Sequence, residues 1–379
     1  MEKIYYIGFY DTYEYQNEKR TGAPSGRNKM EYIFQSIEKN GYHIEILSPA
    51  WTAHQSGRFA RRIVKISDRV TLVLCSTFGA SNIFMKFFRK YIPICWLFLM
   101  LLLNVSKSDT VISYHSMDLM WPVYLAKKIK KFKLLLEVEE IYQDVKQYNR
   151  VARKMEYKIF EIADKYLFSN DLLNKKINKN NKPYEVIYGT YQLEYDRKCK
   201  FEDKKIHVVY AGTFNPRKGA VAAIAAAEFL PKNYHVHIIG FGSQGEINNI
   251  KNIIEKVSSK TEATVTYDGL LKGEEYIQFL QKCDIGLSTQ IPDAAYNDTS
   301  FPSKILSYMA NGLRVVSVKI KAIELSAIGN EMYYYDKHDP KAIAETIMSI
   351  DLNEPYDSRE LIKMLDENFT KNIDKLLRC

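Results

Sequence analysis

His207-Val208-Val209-Tyr210-Ala211-Gly212-Thr213-Phe214-Asn215-Pro216-Arg217-Lys218-Gly219 opens the second half of the chain. Residues 207–211 predict a short apolar strand, the glycine and basic residues after them a loop, and the alanine-rich run to about Leu230 a helix. The same order recurs three times. Residues 236–239 run into Gly240-Phe241-Gly242 and a helix through 253. Residues 264–267 lead to Gly269 and a helix over 274–283, and residues 285–288 lead to a loop around Ser300 and one more helix. Strands alternating with helices of this length predict βαβ units and a parallel sheet. Ligands of such sheets sit at the carboxyl ends of the strands, where each of these loops falls.

The last of the four loops reads Asn297-Asp298-Thr299-Ser300-Phe301-Pro302-Ser303-Lys304-Ile305-Leu306-Ser307-Tyr308-Met309-Ala310-Asn311-Gly312. Pro302 has its φ preset for a first helical turn, with Ser300 or Phe301 expected as the cap. The open amides of that turn and the helix dipole favour a phosphate. A serine-rich helix start read alone is equally a plain cap, and Lys218 and Lys304 read alone are solvated surface charges; the repeated pattern around them points to anion binding.

The order and content of these loops resemble the donor half of glycosyltransferase family 4, retaining enzymes of the GT-B fold, over about residues 205–345. The family's strand, glycine and basic loop ending Lys-Gly is similar to Gly212–Gly219. Its Gly-x-Gly loop is similar to Gly240 and Gly242, and its Phe-Pro-Ser-Lys segment with a following Tyr-Met-Ala-x-Gly helix resembles residues 301–317. The resemblance implies a GT-B architecture of two Rossmann-like domains facing a central cleft. It also implies a nucleotide-diphosphate sugar, UDP-sugar favoured, held by Gly212, Thr213, Arg217, Lys218, Gly240, Gly242, Asp298, Thr299, Ser300, Phe301, Ser303, Lys304 and Ser307. This chain departs from the family at three of these places. Thr213 stands where an arginine is usual, while Lys218 keeps the diphosphate lysine with Arg217 beside it. Thr299 and Ser307 occupy the places of two glutamates, the second of which normally holds the ribose. Lys218 and Arg217 are expected to neutralise the diphosphate leaving group.

The N-terminal half also reads as α/β, with strands at 4–9, 43–47, 70–75, 110–114, 134–138 and 166–168 and helices near 28–40, 117–131 and 150–165. Residues 21–27 form a glycine-containing loop, and family members place such a loop near the transferred sugar, which implicates Gly22 and Gly26. Its spacing is neither a dinucleotide fingerprint nor a Walker motif. Ser113-Tyr114-His115-Ser116 ends one strand and Glu137-Val138-Glu139-Glu140 the next. Carboxylates clustered at a sheet's carboxyl edge cost heavily to bury unless paired. Glu139 or Glu140 is expected to orient an acceptor hydroxyl and take its proton, with His115 as hydrogen-bond partner; the plainer reading pairs these glutamates with nearby lysine or arginine. The family often has a histidine near the Glu139 position, and none stands there.

With 379 residues the chain exceeds what one core usually supports. The reading places an acceptor domain at 1–200, a donor domain at 201–350 and a crossover helix in 351–379, whose apolar residues 361, 362, 365, 369, 373, 376 and 377 keep helical spacing. Five scattered cysteines, without CxxC or His-paired spacing, argue against a disulfide framework and against structural zinc. No signal-peptide pattern opens the sequence, so a cytoplasmic setting is expected. Residues 1–200 carry 33 Lys and Arg against 21 Asp and Glu, the rest 21 against 24, which concentrates the net +9 in the first half. A basic lobe suggests an anionic partner, and no nucleic-acid-binding module is recognisable. Residues 85–105 hold an apolar run from Tyr91 to Leu103, shorter than a membrane span. It reads either as a core helix or as an interfacial segment in which Phe87, Phe88, Tyr91 and Trp96 enter an anionic membrane beside Lys86, Arg89 and Lys90.

These readings combine into a cytoplasmic glycosyltransferase acting on a saccharide or lipid-linked saccharide of bacterial surface polysaccharide synthesis. No Asp-x-Asp motif lies on a suitable loop, so no metal cofactor is expected. A nucleotide-sugar epimerase and a non-catalytic carbohydrate- or membrane-binding protein are the alternatives.

Overall fold

The computed structural model describes residues 3–145, 148–292, 297, 299–337 and 339–379. The chain divides into two units, Met1–Ile187 with Glu367–Cys379, and Tyr188–Asp366. The boundary thus lies at 187/188, against about 200 in the sequence reading, and the return to the first unit begins at Glu367 within the last helix.

The first unit contains β1 (Ile4–Ile7), β2 (Ile44–Ser48), β3 (Arg58–Phe59), β4 (Arg62–Lys65), β5 (Val70–Leu74), β6 (Thr77–Phe78), β7 (Thr110–Tyr114), β8 (Lys133–Val138), β9 (Lys165–Phe168) and β10 (Tyr184–Val186). Eight of them form one sheet in the order β10-β9-β8-β7-β1-β2-β5-β4, parallel except for β4 at its edge, while β3 and β6 pair separately. Strands such as Thr71-Leu72-Val73-Leu74 and Leu134-Leu135-Leu136 are apolar on both faces, because helices cover both sides of a parallel sheet. On one side, Tyr5, Ile7, Val111, Leu134 and Leu136 pack with Leu97 and Leu101 of the helix Ile83–Asn104.

The second unit contains β11 (Ile206–Thr213), β12 (Tyr234–Phe241), β13 (Thr264–Gly269), β14 (Ile285–Ser288), β15 (Arg314–Val318) and β16 (Met332–Tyr335). They form a wholly parallel sheet in the order β13-β12-β11-β14-β15-β16. Counted from the unit's own start this is the 3-2-1-4-5-6 order of a Rossmann domain, whose strand order reverses between β11 and β14.

The final helix, Arg359–Arg378, buries Ile362 in the second unit and Phe369, Ile373, Leu376 and Leu377 in the first. There Phe369 stacks on Tyr32, Asn40 donates to the Thr370 carbonyl at 2.7 Å, and Lys165 Nζ donates to the carbonyls of Leu376 and Leu377. A lysine on the last carbonyls of a helix satisfies groups that have no partner within it.

Candidate active site

The turn in strand order between β11 and β14 fixes where the second unit's site is built. Gly240, the penultimate residue of β12, has φ +143°, and a Cβ there would sit 1.8 Å from the Gly212 carbonyl oxygen, so the two strand ends touch backbone to backbone. Gly219 has φ +93°, and a Cβ on it would collide with the Thr289 carbonyl, whose own hydroxyl donates to the Gly219 carbonyl at 2.7 Å. Only glycine permits these approaches.

Tyr210 is the hub of this end of the sheet, and sequence reasoning missed it because it reads as one more strand residue. Its hydroxyl lies 3.1 Å from the Thr213 carbonyl and 2.9 Å from that of Lys218, which fastens the basic loop. The ammonium of Lys304 lies 3.8 Å from the centre of its ring. That ammonium is buried, although part of the side chain's stem is accessible, and it has no hydrogen-bond partner among the described residues. Burial, with the charge of Lys218 added, pushes its proton affinity down to about 7. A Cβ on Gly212 would stand 3.1 Å from it, so the absent side chain leaves room over the cation. Two lysines held close enough to repel, one of them in a dry place without an acceptor, form a site that an anion would complete. Ser288 and Thr299, both in the stretch after β14 begins, also bury hydroxyls with no partner among the described residues.

The helix carrying Lys304 is short, Lys304–Ala310, and is held by Tyr308, whose hydroxyl accepts from the Ala211 amide at 2.8 Å. Ser303 is its N-cap, without a side-chain capping bond, where the sequence reading expects Ser300 or Phe301 to cap. Phe301 is instead packed against Tyr188, with ring centres 5.0 Å apart, so it braces the loop. Ser303 is exposed, Ser300 is half-buried, and Asp298 lies outside the described residues. Ser307 Oγ is 3.1 Å from the Tyr276 hydroxyl, a neutral pair where the resembling family has a carboxylate. Gly242 leads into the helix Gln244–Ser258, whose first turn is already satisfied by a Ser243–Glu246 capping box. The Glu246 carboxylate accepts from the Ser243 amide and the Ser243 hydroxyl from the Glu246 amide, so the Gly-x-Gly loop offers less to a phosphate than the sequence suggests. Arg217 and Lys218 lie on an exposed turn, Pro216–Lys218.

In the first unit the expected loop at 21–27 is shorter than its reading. The helix Pro24–Lys39 starts at Pro24, so Gly26 belongs to its first turn, while Gly22 precedes it against the Phe9 carbonyl. Glu137 is wholly buried, accepts from the Tyr6 hydroxyl at 2.6 Å, and is pushed up to about 7 by burial, with the neighbouring Glu139 charge adding to it. Glu139 stands just past the end of β8 with Lys29 Nζ at 2.5 Å, and Lys29 also donates to the Ile187 carbonyl. The plainer expectation, a glutamate paired with a nearby lysine, describes this contact. Glu140 is half-buried beside it.

His115 needs correction. Its ring is buried between Tyr142 and Phe160, its Nε2 is 3.5 Å from Glu156 Oε1, and burial holds its proton affinity down to about 3. The enclosed imidazole meets the backbone of Glu140, in place of the carboxylate contact expected from the sequence. Glu156 itself, pushed up to about 7 by burial, accepts from the Tyr142 amide at 2.8 Å. Nothing in the sequence pattern marks Glu156, because a glutamate inside a helical stripe reads as exposed.

Residues 192–372 match the family described as glycosyl transferases group 1. The C-terminal half is a glycosyltransferase group 1 domain. The protein is accordingly a glycosyltransferase. No curated protein sequence matches the chain. Among solved structures, Anabaena Alr3699/HepE in complex with UDP aligns over 100% of both chains with a TM-score of 0.66 at 12% identity. The same protein with UDP and glucose gives 0.66 at 13%, again over 100% of both chains. A UDP-forming α,α-trehalose-phosphate synthase from Burkholderia xenovorans aligns over 100% of this chain and 99% of its own, with a TM-score of 0.63 at 10% identity. At these identities the likeness is one of fold, and it extends over both units of the glycosyltransferase.

Proposed function

We propose that this glycosyltransferase binds a nucleotide-diphosphate sugar, a UDP-sugar by preference, at the carboxyl end of β11, β12 and β14. The observation that carries the reading is the buried, acceptor-less ammonium of Lys304 beside Lys218. A diphosphate there would return charge to Lys304, receive Lys218 and Arg217 from the exposed turn, and approach the backbone at Gly212. Such fixed cations favour the reaction because the leaving diphosphate gains charge as the glycosidic bond breaks. The binding of UDP by the HepE structures of like fold supports the choice of nucleotide. The leaving-group charge is assigned to these residues without a metal. Ser307 with Tyr276 takes the ribose side of the site.

The sugar passes, with retention, to an acceptor hydroxyl served by Glu139 or Glu140 of the first unit. Glu139 exchanges its Lys29 partner for the acceptor proton as the reaction proceeds. A lipid-linked saccharide is the proposed acceptor, because the helix Ile83–Asn104 leaves Ile83, Phe84, Phe87 and Phe88 exposed next to Lys86 and Lys90. The helix has 22 residues and is long and apolar enough by composition to cross a membrane. Leu97 and Leu101 nevertheless pack it along the first sheet, which favours lying at the interface of the cytoplasmic leaflet. UDP release from UDP-glucose, measured with and without a polyprenyl-linked saccharide in anionic vesicles, tests the reading. Acceptor-dependent release is expected; an epimerised donor formed without acceptor would replace transfer by epimerisation.

A further inference from the structure

His207 on β11 and His235 on β12 are paired across the strands, and His237 follows two residues on, so all three rings project from one face of the sheet. They form the one three-histidine group with converging donor atoms among the described residues, each offering an atom within 4.8 Å of the others. The arrangement of hydrogen bonds around them is specific. His207 Nε2 is 2.8 Å from Asp203 Oδ1, and His237 Nδ1 is 3.1 Å from Asp268 Oδ2. Each outer nitrogen therefore donates its proton to a carboxylate. That leaves the inner nitrogens, His207 Nδ1 and His237 Nε2, facing each other at 2.9 Å, both as acceptors. Without a third party the contact requires one extra proton shared between two buried rings.

We propose that His207, His235 and His237 bind a divalent transition metal of the zinc class. Three imidazoles are a recognised zinc donor set, and carboxylates on the outer nitrogens are the usual support for histidine ligands. Zn–N bonds of about 2.0–2.1 Å in tetrahedral array set neighbouring nitrogens about 3.3 Å apart, so the inner pair need open by only a few tenths of an ångström. Phe201 stacks on His207 and His237 and closes one side, while His235, half-buried, gives the ion its entry and an open fourth position. His207 lies five residues before Gly212 on β11, at the opposite end of the strand from Lys304, so the ion takes no part in diphosphate chemistry. It cross-links β11 to β12.

The test is calorimetric titration of chelator-treated, full-length protein with Zn²⁺, together with visible spectra on adding Co²⁺. Stoichiometric uptake, tetrahedral Co²⁺ bands and a raised Tm with Zn²⁺ are expected. Asp268→Asn should weaken binding about 10- to 100-fold, and His235→Ala, at the more accessible ring, should abolish the stoichiometric site. Absence of Zn²⁺ uptake by the folded wild-type protein would overturn the proposal. So would uptake of unchanged affinity in His235→Ala.

Discussion

Lys304 rests its ammonium on the ring of Tyr210 at 3.8 Å, while the hydroxyl of the same tyrosine secures the loop that carries Lys218. One side chain thereby places both cations, and it does so by giving Lys304 a π-face, which attracts a cation without satisfying its hydrogen bonds. The consequences concern stability as well as binding.

Lys304→Met should raise the stability of the ligand-free protein. The lysine loses its proton at about 7 when folded, against 10.5 for an ordinary lysine. The cost of burying it is full below pH 7 and fades as the pH rises through that value towards 10.5, since the unfolded chain alone then binds the proton. Urea denaturation at pH 6 should show a gain of about 1–3 kcal/mol for the variant, and the gain should shrink by pH 9. A loss of stability at pH 6 would contradict the assignment.

Donor affinity should depend on pH in one direction. Bound diphosphate raises the proton affinity of Lys304 above its value of about 7 in the ligand-free protein. Above pH 7 binding must then take up a proton, and affinity should fall by up to about tenfold per pH unit. UDP-glucose suits the calorimetry because its diphosphate diester has no ionisation near neutrality. Affinity independent of pH between 7 and 9 would show that Lys304 does not meet the anion.

Tyr210→Phe keeps the ring under Lys304 and deletes both bonds to the Thr213 and Lys218 carbonyls. A stability loss of about 1–2 kcal/mol is expected, with weaker donor binding as the Lys218 turn loosens. Denaturation and calorimetry on the same preparation measure the two effects.

How far the sequence carried this account depends on the residue. The alternation of apolar strands with helices and the glycine at each strand end were legible, because backbone approach and periodicity are local properties. Lys218, Lys304, Gly212 and Gly240 were all singled out by that pattern, whereas the backbone contact between the two glycines was not. Tyr210, Tyr276 and Glu156 were not, since their roles arise from neighbours distant in sequence. The fate of His115 was illegible for the same reason: Phe160 and Tyr142, which enclose it, come from other segments. His235 and His237 did carry a local signal, two histidines at strand spacing, that a reading centred on cysteines passed over.

Glu139→Gln and Glu140→Gln, made separately, should divide turnover from donor binding. The variant of the acting base should lose about 100-fold or more in kcat while UDP binding stays within about twofold. Because Glu139 is held by Lys29, Glu139→Gln should also shift the stability of the first unit. Unchanged kcat in both variants would remove the glutamates from the chemistry.

Ile83→Ser, Phe84→Ser and Phe87→Ser combined replace side chains that are 79%, 77% and 57% exposed, so folding should be unaffected. Co-sedimentation with vesicles containing anionic lipid should fall several-fold relative to wild type, and wild-type binding should itself decline in high salt. Equal binding to neutral and anionic vesicles by both proteins would argue against the interfacial role.

The most direct measurement is calorimetric titration of UDP into the wild-type protein and into Lys304→Met, each shown to be folded. The account predicts binding to the wild type and a loss of about 10- to 150-fold in the variant, the worth of one charged hydrogen bond to phosphate. Equal affinity in the two proteins would place the nucleotide elsewhere and contradict the assignment of the buried lysine.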